Sequence, residues 1–191
     1  MSAVIENLKK AIIGESMAKR KYVLYSQKAK EQNLTGIAHL FYAVSFAEAI
    51  HIKTHLKALS KINSSDKNFK DFIKFDEEQI KKNVGDTKDN LFEAINGETY
   101  EFKKMYKSFI KNARKEDIFL AEYSFDLARK AEIVHSRLFK KYLEKLGKHK
   151  IFPPIEIYVC SICGHVELRN QPKICPICGH DEKFFKKIDL E

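Results

Sequence analysis

Glu48-Ala49-Ile50-His51 and Glu132-Ile133-Val134-His135 decide the reading of this chain. A glutamate and a histidine three residues apart share one face of a helix. Each pair is preceded, at nearly the same interval, by a lone glutamate: Glu15 before the first and Glu98 before the second. The chain therefore has two halves, each offering one lone carboxylate and one Glu-x-x-His. Folded together, they would aim four carboxylates and two imidazoles at one point. That is the ligand inventory of a carboxylate-bridged di-iron or di-manganese site inside a four-helix bundle.

The surrounding apolar periodicity strengthens the reading. Four segments carry residues at steps of three or four, as a core-facing helical stripe requires. They are Leu8, Ile12, Glu15, Ala18, Tyr22, Tyr25, Ala29; then Phe41, Val44, Glu48, His51, His55, Leu59; then Leu91, Ile95, Glu98, Phe102, Met105, Phe109, with Glu101 beside the stripe; and Ile118, Ala121, Phe125, Ala128, Glu132, His135, Phe139, Tyr142, Leu146. In each, a glutamate stands where Leu or Ile belongs. Burying an ionised carboxylate costs several kcal/mol. One such residue is a stray from the polar face; four on four stripes call for cations.

A second signal is Cys160-Ser161-Ile162-Cys163-Gly164 followed by Cys175-Pro176-Ile177-Cys178-Gly179, which contain all four cysteines. Two Cys-x-x-Cys pairs, each followed by a turn-permitting glycine, form knuckles around a tetrahedral thiolate site. Iron and zinc both suit four sulfurs. The competing reading is a pair of disulfides. Met1–Lys10 lacks the apolar run of a secretory leader, which gives the expectation of a reducing cytoplasm, where disulfides are rare.

Composition sets the bounds. The 191 residues suffice for one fair-sized domain and a small one. No apolar run is long enough to span a membrane. The net charge of +9 invites a nucleic-acid reading. However, the charge is mostly scattered lysine, with only five arginines, and there is no basic stripe interleaved with aromatics. A Gly-rich phosphate loop, a nucleophile elbow and a nicotinamide or flavin fingerprint are all missing.

The stripes predict helices over about Ala3–Glu31, Thr35–Lys61, Lys88–Lys115 and Ile118–Leu146. Asp86 or Thr87 is expected to cap the third and Asp117 the fourth, with Gly147 closing it. Short joins make the first and last pairs antiparallel hairpins. The long connection from Ile62 to Thr87 suits a crossover, with Phe69, Phe72, Ile73 and Ile80 suggesting a short packed helix within it. Residues 1–146 are then the bundle, 147–157 a linker stiffened by Pro153-Pro154, and 158–191 a small domain dependent on its metal.

With these residues in view, the chain resembles the rubrerythrins, which join a ferritin-like di-iron domain to a rubredoxin-like domain. Three stretches carry the resemblance: Gly14-Glu15-Ser16 through Tyr22, Gly97-Glu98-Thr99-Tyr100-Glu101 with Met105-Tyr106, and the cysteine knuckles. Glu101 is telling, since the family carries Glu-x-x-Glu at this point. The resemblance implies that Glu48 and Glu132 bridge the irons. It makes Glu15 a terminal ligand to one iron, and Glu98 and His135 terminal ligands to the other. His51 and Glu101 alternate on the first iron, His51 when reduced and Glu101 when oxidised. Tyr22 and Tyr106 are expected to donate hydrogen bonds from behind the ligands or simply to pack, and His55 to stand behind the ligands or in solvent. Eleven residues separate the cysteine pairs, a tight spacing for the family, and His165 stands where an aromatic is frequent.

The implied function is a peroxidase that reduces hydrogen peroxide to water. Two Fe(II) ions supply one electron each, and Fe(III), the harder ion, prefers the oxygen of Glu101 to imidazole. The iron on Cys160, Cys163, Cys175 and Cys178 returns electrons from an NAD(P)H-dependent reductase or a rubredoxin; zinc in either site of the purified protein is the alternative occupant. Competing functions are ferroxidase or iron handling, reduction of oxygen or superoxide, and a zinc-ribbon adaptor without catalysis. His135 lies about 17 Å along its helix from Leu146, and an extended linker adds roughly 36 Å. This spacing gives the expectation that electrons cross between the chains of a head-to-tail homodimer.

Overall fold

The computed structural model describes residues 2–63, 73–148, 152–153 and 155–190. Phe69, Phe72, Pro154 and residues 149–151 lie outside the described residues. The bundle is built from α1 (Ala3–Glu31), α2 (Thr35–Ile62), α4 (Thr87–Tyr100) continuing into α5 (Tyr106–Lys115), and α6 (Phe119–Leu146), with a short α3 (Glu77–Lys82) in the crossover. Ile80 of α3 is buried, and Asp76 and Asp86 cap α3 and α4 by accepting from the backbone N–H of Gln79 and Asp89, each at 2.9 Å.

The two hairpin turns share one device. Asn33 and Asp117 adopt left-handed φ values of 59° and 53°, and the N–H of the next residue closes on the preceding helix: Leu34 to Ala29 O at 2.8 Å and Ile118 to Ala113 O at 2.9 Å. This is the wrapped C-terminal stop that Asn and Asp tolerate better than most residues. Asp117 thus ends α5 and does not cap α6, whose N-cap is Ile118 without a side-chain bond. Gly147 closes α6 at φ −62°, an ordinary helical value, so its glycine freedom is unused there.

The third stripe departs from the expected continuous helix. Between α4 and α5, Glu101–Met105 forms a π turn. The widened turn carries one extra residue and rotates α5 relative to α4. Phe102 and Met105 are consequently only partly buried, and Tyr106, Phe109, Ile110 and Ala113 face the core in their place. Arg129 Nε donates to the carbonyl of Phe102 at 3.1 Å, satisfying a backbone group in the disturbed ladder.

The small domain is an antiparallel three-stranded sheet in the order β2 (Val166–Leu168), β1 (Ile157–Cys160), β3 (Phe185–Ile188). It packs directly against the bundle. Phe152 stacks on Tyr142 of α6, with centroids 5.7 Å apart, and its carbonyl accepts the N–H of Gly36 at the start of α2. A Cβ on Gly36 would lie 2.7 Å from that carbonyl, so this close approach needs glycine. His39 Nε2 then donates to Ile188 O at 2.7 Å. Ile157, Val159, Val166 and Ile188 join the apolar cluster of Tyr22, Tyr25, Phe41 and Phe139 at one end of the bundle. A second cluster, with Leu8, Ile12, Leu59, Tyr106, Phe109 and Phe125, fills the other end. The charged layer lies between them.

Candidate metal centres

Two groups of ligand atoms share that layer, each within 4.8 Å: Glu15, Glu48, His51 and Glu132 in one, and Glu48, Glu98, Glu132 and His135 in the other. Glu48 and Glu132 belong to both. All six residues are buried. His51 Nδ1 lies 2.8 Å from Glu132 Oε1 and 2.9 Å from Glu48 Oε2, yet neither approach has hydrogen-bond geometry. His135 Nδ1 lies 2.7 Å from Glu132 Oε2 and 3.5 Å from Glu98 Oε2. Both oxygens of Glu48, and one each of Glu15, Glu98 and Glu132, are buried without a hydrogen-bond partner. Buried polar atoms are nearly always satisfied. So many orphaned acceptors converging on shared points is what a pair of cations would resolve, and the donor set fits them.

Both imidazoles are oriented by the cysteine domain. His51 Nε2 donates to Cys163 O at 3.1 Å and His135 Nε2 to Gly164 O at 3.0 Å. Each ring thereby turns Nδ1 toward the carboxylates, the usual arrangement of a ligating histidine. Gly164, at φ +75°, permits this contact, since a Cβ there would sit 2.5 Å from His51 Nε2. Behind the carboxylates, Tyr22 donates to Glu98 Oε1 and Tyr106 to Glu15 Oε1. Burial, then the adjacent carboxylates, push both phenols well above their ordinary value, so they remain donors.

The electrostatics show how crowded the layer is. Burial and the charges of Glu132 and Glu15 push Glu48 up to about 8. Burial and Glu132 likewise raise Glu98. For His51 and His135, burial disfavours the cation, but the surrounding carboxylates, Glu132 foremost, together outweigh it and both are raised. Glu132 is correspondingly lowered despite its burial, by the two histidines. The protein alone thus balances the layer by holding protons, and metal ions would displace them.

Glu101 is placed differently. It belongs to neither ligand group; it sits on the π turn and is only partly buried. With Gly14, Tyr22 and Gly97 it lines a cavity of about 260 Å³ beside the carboxylates. Burial, then Glu15 and Glu132, raise its carboxyl well above the ordinary range. Of the expected pair at the first position, His51 is therefore in and Glu101 is out.

The cysteines form a second centre. All four are free thiols whose sulfurs lie within 4.8 Å of one another. Cys160 and Cys178 are 3.7 Å apart, and Cys163 and Cys175 are 3.6 Å apart. Metal–sulfur bonds of about 2.3 Å in a tetrahedron give edges of about 3.8 Å, so the spacing fits a metal; a disulfide needs about 2.05 Å.

A family description named rubrerythrin matches residues 6–143, and one for the rubredoxin-like domain of rubrerythrin matches residues 158–186. The chain belongs to the rubrerythrin family. It is 34% identical to rubrerythrin-2 of Clostridium acetobutylicum over 84% of the chain and 83% of that protein. It is 31% identical to nigerythrin of Nitratidesulfovibrio vulgaris over 87% of the chain and 77% of that protein. Among solved structures, partially reduced nigerythrin superposes with a TM-score of 0.85 at 28% identity, covering 98% of this chain and 88% of that one. The fully reduced, all-ferrous state gives 0.80 at the same identity and coverage. Members of the family hold a carboxylate-bridged di-iron site and an iron on four cysteines, and this chain presents both ligand sets. It is a ferritin-like di-iron redox protein with a rubredoxin-like knuckle.

Three features of the site are not evident from the sequence stripes. The knuckle carbonyls reach both histidines within one chain, contrary to the expectation that the cysteine site lies too far from its own bundle. Phe152 packs on the bundle, where Gly36 admits its carbonyl and Tyr142 stacks on its ring. The π turn breaks the third stripe. His55, by contrast, lies where its stripe puts it: it is wholly buried behind the ligands, the first of its two expected places, and bonded to Ser124 and Tyr106. Gly36 and Gly164 are visible as glycines in the sequence, but which surface approaches them is not.

Proposed function

We propose that the protein is a di-iron peroxidase that reduces hydrogen peroxide to water. Electrons enter through the cysteine iron from an NAD(P)H-dependent reductase or a rubredoxin. The observation that carries this reading is the contact of the knuckle carbonyls with both histidines of the carboxylate layer. An iron-storage protein has no use for a redox knuckle at that spot, and a zinc-ribbon adaptor has no use for a buried carboxylate cluster.

On this reading Glu48 and Glu132, which belong to both ligand groups, would be shared by the two ions, with Glu15 and His51 holding one and Glu98 and His135 the other. Two ferrous ions bound there would be a source of the two electrons that the O–O bond needs. The residues do the rest. Gly14 and Gly97 leave the cavity beside Glu101 open for a small substrate. Glu101, on its π turn, is the carboxylate free to exchange with His51. Tyr22 and Tyr106 hold Glu98 and Glu15 in place and offer protons where oxygen charge develops. The Cys163 and Gly164 carbonyls keep each Nδ1 aimed inward. We read residues 1–146 as bundle, 147–157 as linker and 158–191 as knuckle domain. The chain is also read as a homodimer, supported by Phe119, Leu120 and Tyr123, which leave an exposed apolar patch on α6. Among the described residues no helix is long and apolar enough to cross a membrane.

Anaerobic stopped-flow mixing of fully ferrous protein with peroxide tests the reading. One equivalent should oxidise the bundle irons within the mixing experiment, ahead of any reaction with air-saturated buffer. Faster oxidation by oxygen than by peroxide would transfer the assignment to ferroxidase or oxygen reduction.

A further inference from the structure

The two halves of the bundle match at the site and diverge four residues beyond each histidine. Beyond His135 stands Phe139; beyond His51 stands His55. Phe139 packs its ring on Tyr22, with centroids 5.3 Å apart, and the Tyr22 hydroxyl bonds to Glu98. His55 packs on Tyr106 in the corresponding way, with centroids 5.7 Å apart, but adds two hydrogen bonds. Its Nε2 lies 3.0 Å from Tyr106 Oη, and its Nδ1 meets Ser124 Oγ.

The direction of these bonds is set at their inner end. Tyr106 gives its proton to Glu15, so its oxygen is left to accept. His55 Nε2 must therefore carry the hydrogen, and Nδ1 must accept from Ser124. Burial, reinforced by His51, pushes His55 down to about 3, which keeps it neutral with one proton for two nitrogens. Ser124 lines a cavity of about 390 Å³ between α2, α6 and the knuckle, bordered by the exposed Lys53, Lys57 and Tyr123. That volume is far more than the roughly 30 Å³ of one water. It lies apart from the cavity beside Glu101, and the two share no lining residue.

We propose that Ser124, His55 and Tyr106 form a proton path from this cavity to Glu15. The inference rests on the peroxidase reading, in which H2O2, two protons and two electrons from the external donor give two waters. In one passage a cavity water gives a proton to Ser124 Oγ, and Ser124 gives its own to His55 Nδ1. The Nε2 proton of His55 moves to Tyr106 Oη, and the Tyr106 proton moves to Glu15 Oε1. Each of the three residues gains one bond to hydrogen and loses one. A single proton is delivered, and one hydroxide equivalent is left to the solvent. Rotation of the two hydroxyls and a tautomer change at His55 restore the path. Nothing in the packing demands a histidine here, since phenylalanine serves at the matching place.

Two measurements test it. In the full chain loaded with zinc, which is diamagnetic, nitrogen-15 spectra of labelled histidines should show His55 neutral with its proton on Nε2. An imidazolium, or a proton on Nδ1 at rest, would overturn the path. In single-turnover reaction of the ferrous protein with peroxide, His55→Phe and Ser124→Ala should each be at least about 10-fold slower, with two bundle irons retained, and Ser124→Thr should restore the rate. Unchanged rates in iron-replete His55→Phe and Ser124→Ala would also overturn it. If His55→Phe does not fold, Ser124→Ala at the outer end decides. If the wild type itself ignores peroxide, the peroxidase reading falls, and the His55 tautomer still decides whether the path is built as described.

Discussion

Glu48 shows most plainly what a two-metal site asks of a single residue. Both of its oxygens are buried without a hydrogen-bond partner, and burial with Glu132 and Glu15 raises it to about 8. The folded, metal-stripped protein therefore binds a proton at Glu48 more tightly than the unfolded chain does. The stabilising contribution of that proton is complete below the unfolded value and is lost as pH rises through about 8. His51 and His135, also raised, act in the same direction, while the contribution of Glu132, lowered, is complete above the ordinary carboxylate range and is lost only in acid. After chelation the melting temperature should fall between pH 5 and pH 8 or so. Glu48→Leu places an apolar side chain on an apolar stripe and removes the least satisfied carboxylate. It should raise apo stability by about 1 kcal/mol or more and flatten that pH slope, while abolishing paired metal binding. Calorimetry of the two stripped proteins across pH measures both effects. A less stable apo Glu48→Leu would mean that the carboxylate is better solvated than its burial indicates. Glu132 is the wrong residue for such a test, because it is the anion that balances both histidines.

The elements differ in how far sequence discloses them. The four stripes place α1, α2 and α6 nearly to the residue, since each buries one unbroken face along its whole length. The carboxylates and histidines are legible for the same reason: they interrupt those faces. The π turn is not, because periodicity assumes a constant number of residues per turn, and Glu101–Met105 breaks it. The packing of Phe152 on the bundle is likewise hidden, since it depends on surfaces that only the fold brings together. The knuckle loop is the sharpest case. Gly164 reads in sequence as a turn residue, and its φ of +75° agrees, but its hydrogen also faces the His51 ring. Gly164→Ala adds left-handed strain of roughly 1–2 kcal/mol and a methyl group that meets both His51 and the Ala47 carbonyl. The knuckle itself should still bind iron, because its four sulfurs are untouched. The expected result is an unchanged ferric-thiolate visible spectrum, together with slower re-reduction of the bundle irons after a peroxide pulse. Re-reduction at the wild-type rate would show that electrons do not depend on this contact.

At the scale of the molecule, the question is which bundle a cysteine domain serves. A head-to-tail dimer is expected from the sequence on grounds of distance: a straight linker carries the knuckle away from its own bundle. The fold removes that premise. Phe152 packs on Gly36 and Tyr142, His39 holds the last strand through Ile188, and residues of the sheet share an apolar cluster with α1, α2 and α6. Cys163 and Gly164 then present their carbonyls to His51 and His135 of the same chain. A homodimer built on the exposed patch of α6 is compatible with this arrangement but is not needed to complete the site. Electron transfer should accordingly run within one chain. The test mixes a variant without the bundle ligands, Glu48→Ala with Glu132→Ala, and one without the cysteine site, Cys163→Ser with Cys178→Ser. The two are incubated until mass spectrometry of tagged subunits shows that any exchange is complete. Neither variant turns over alone, and the mixture should remain equally inactive, because no chain in it holds both centres. Recovery of turnover toward the level expected for one competent pair per mixed dimer would show that the knuckle reaches across to its partner. The contacts of Cys163 and Gly164 would then be made between chains.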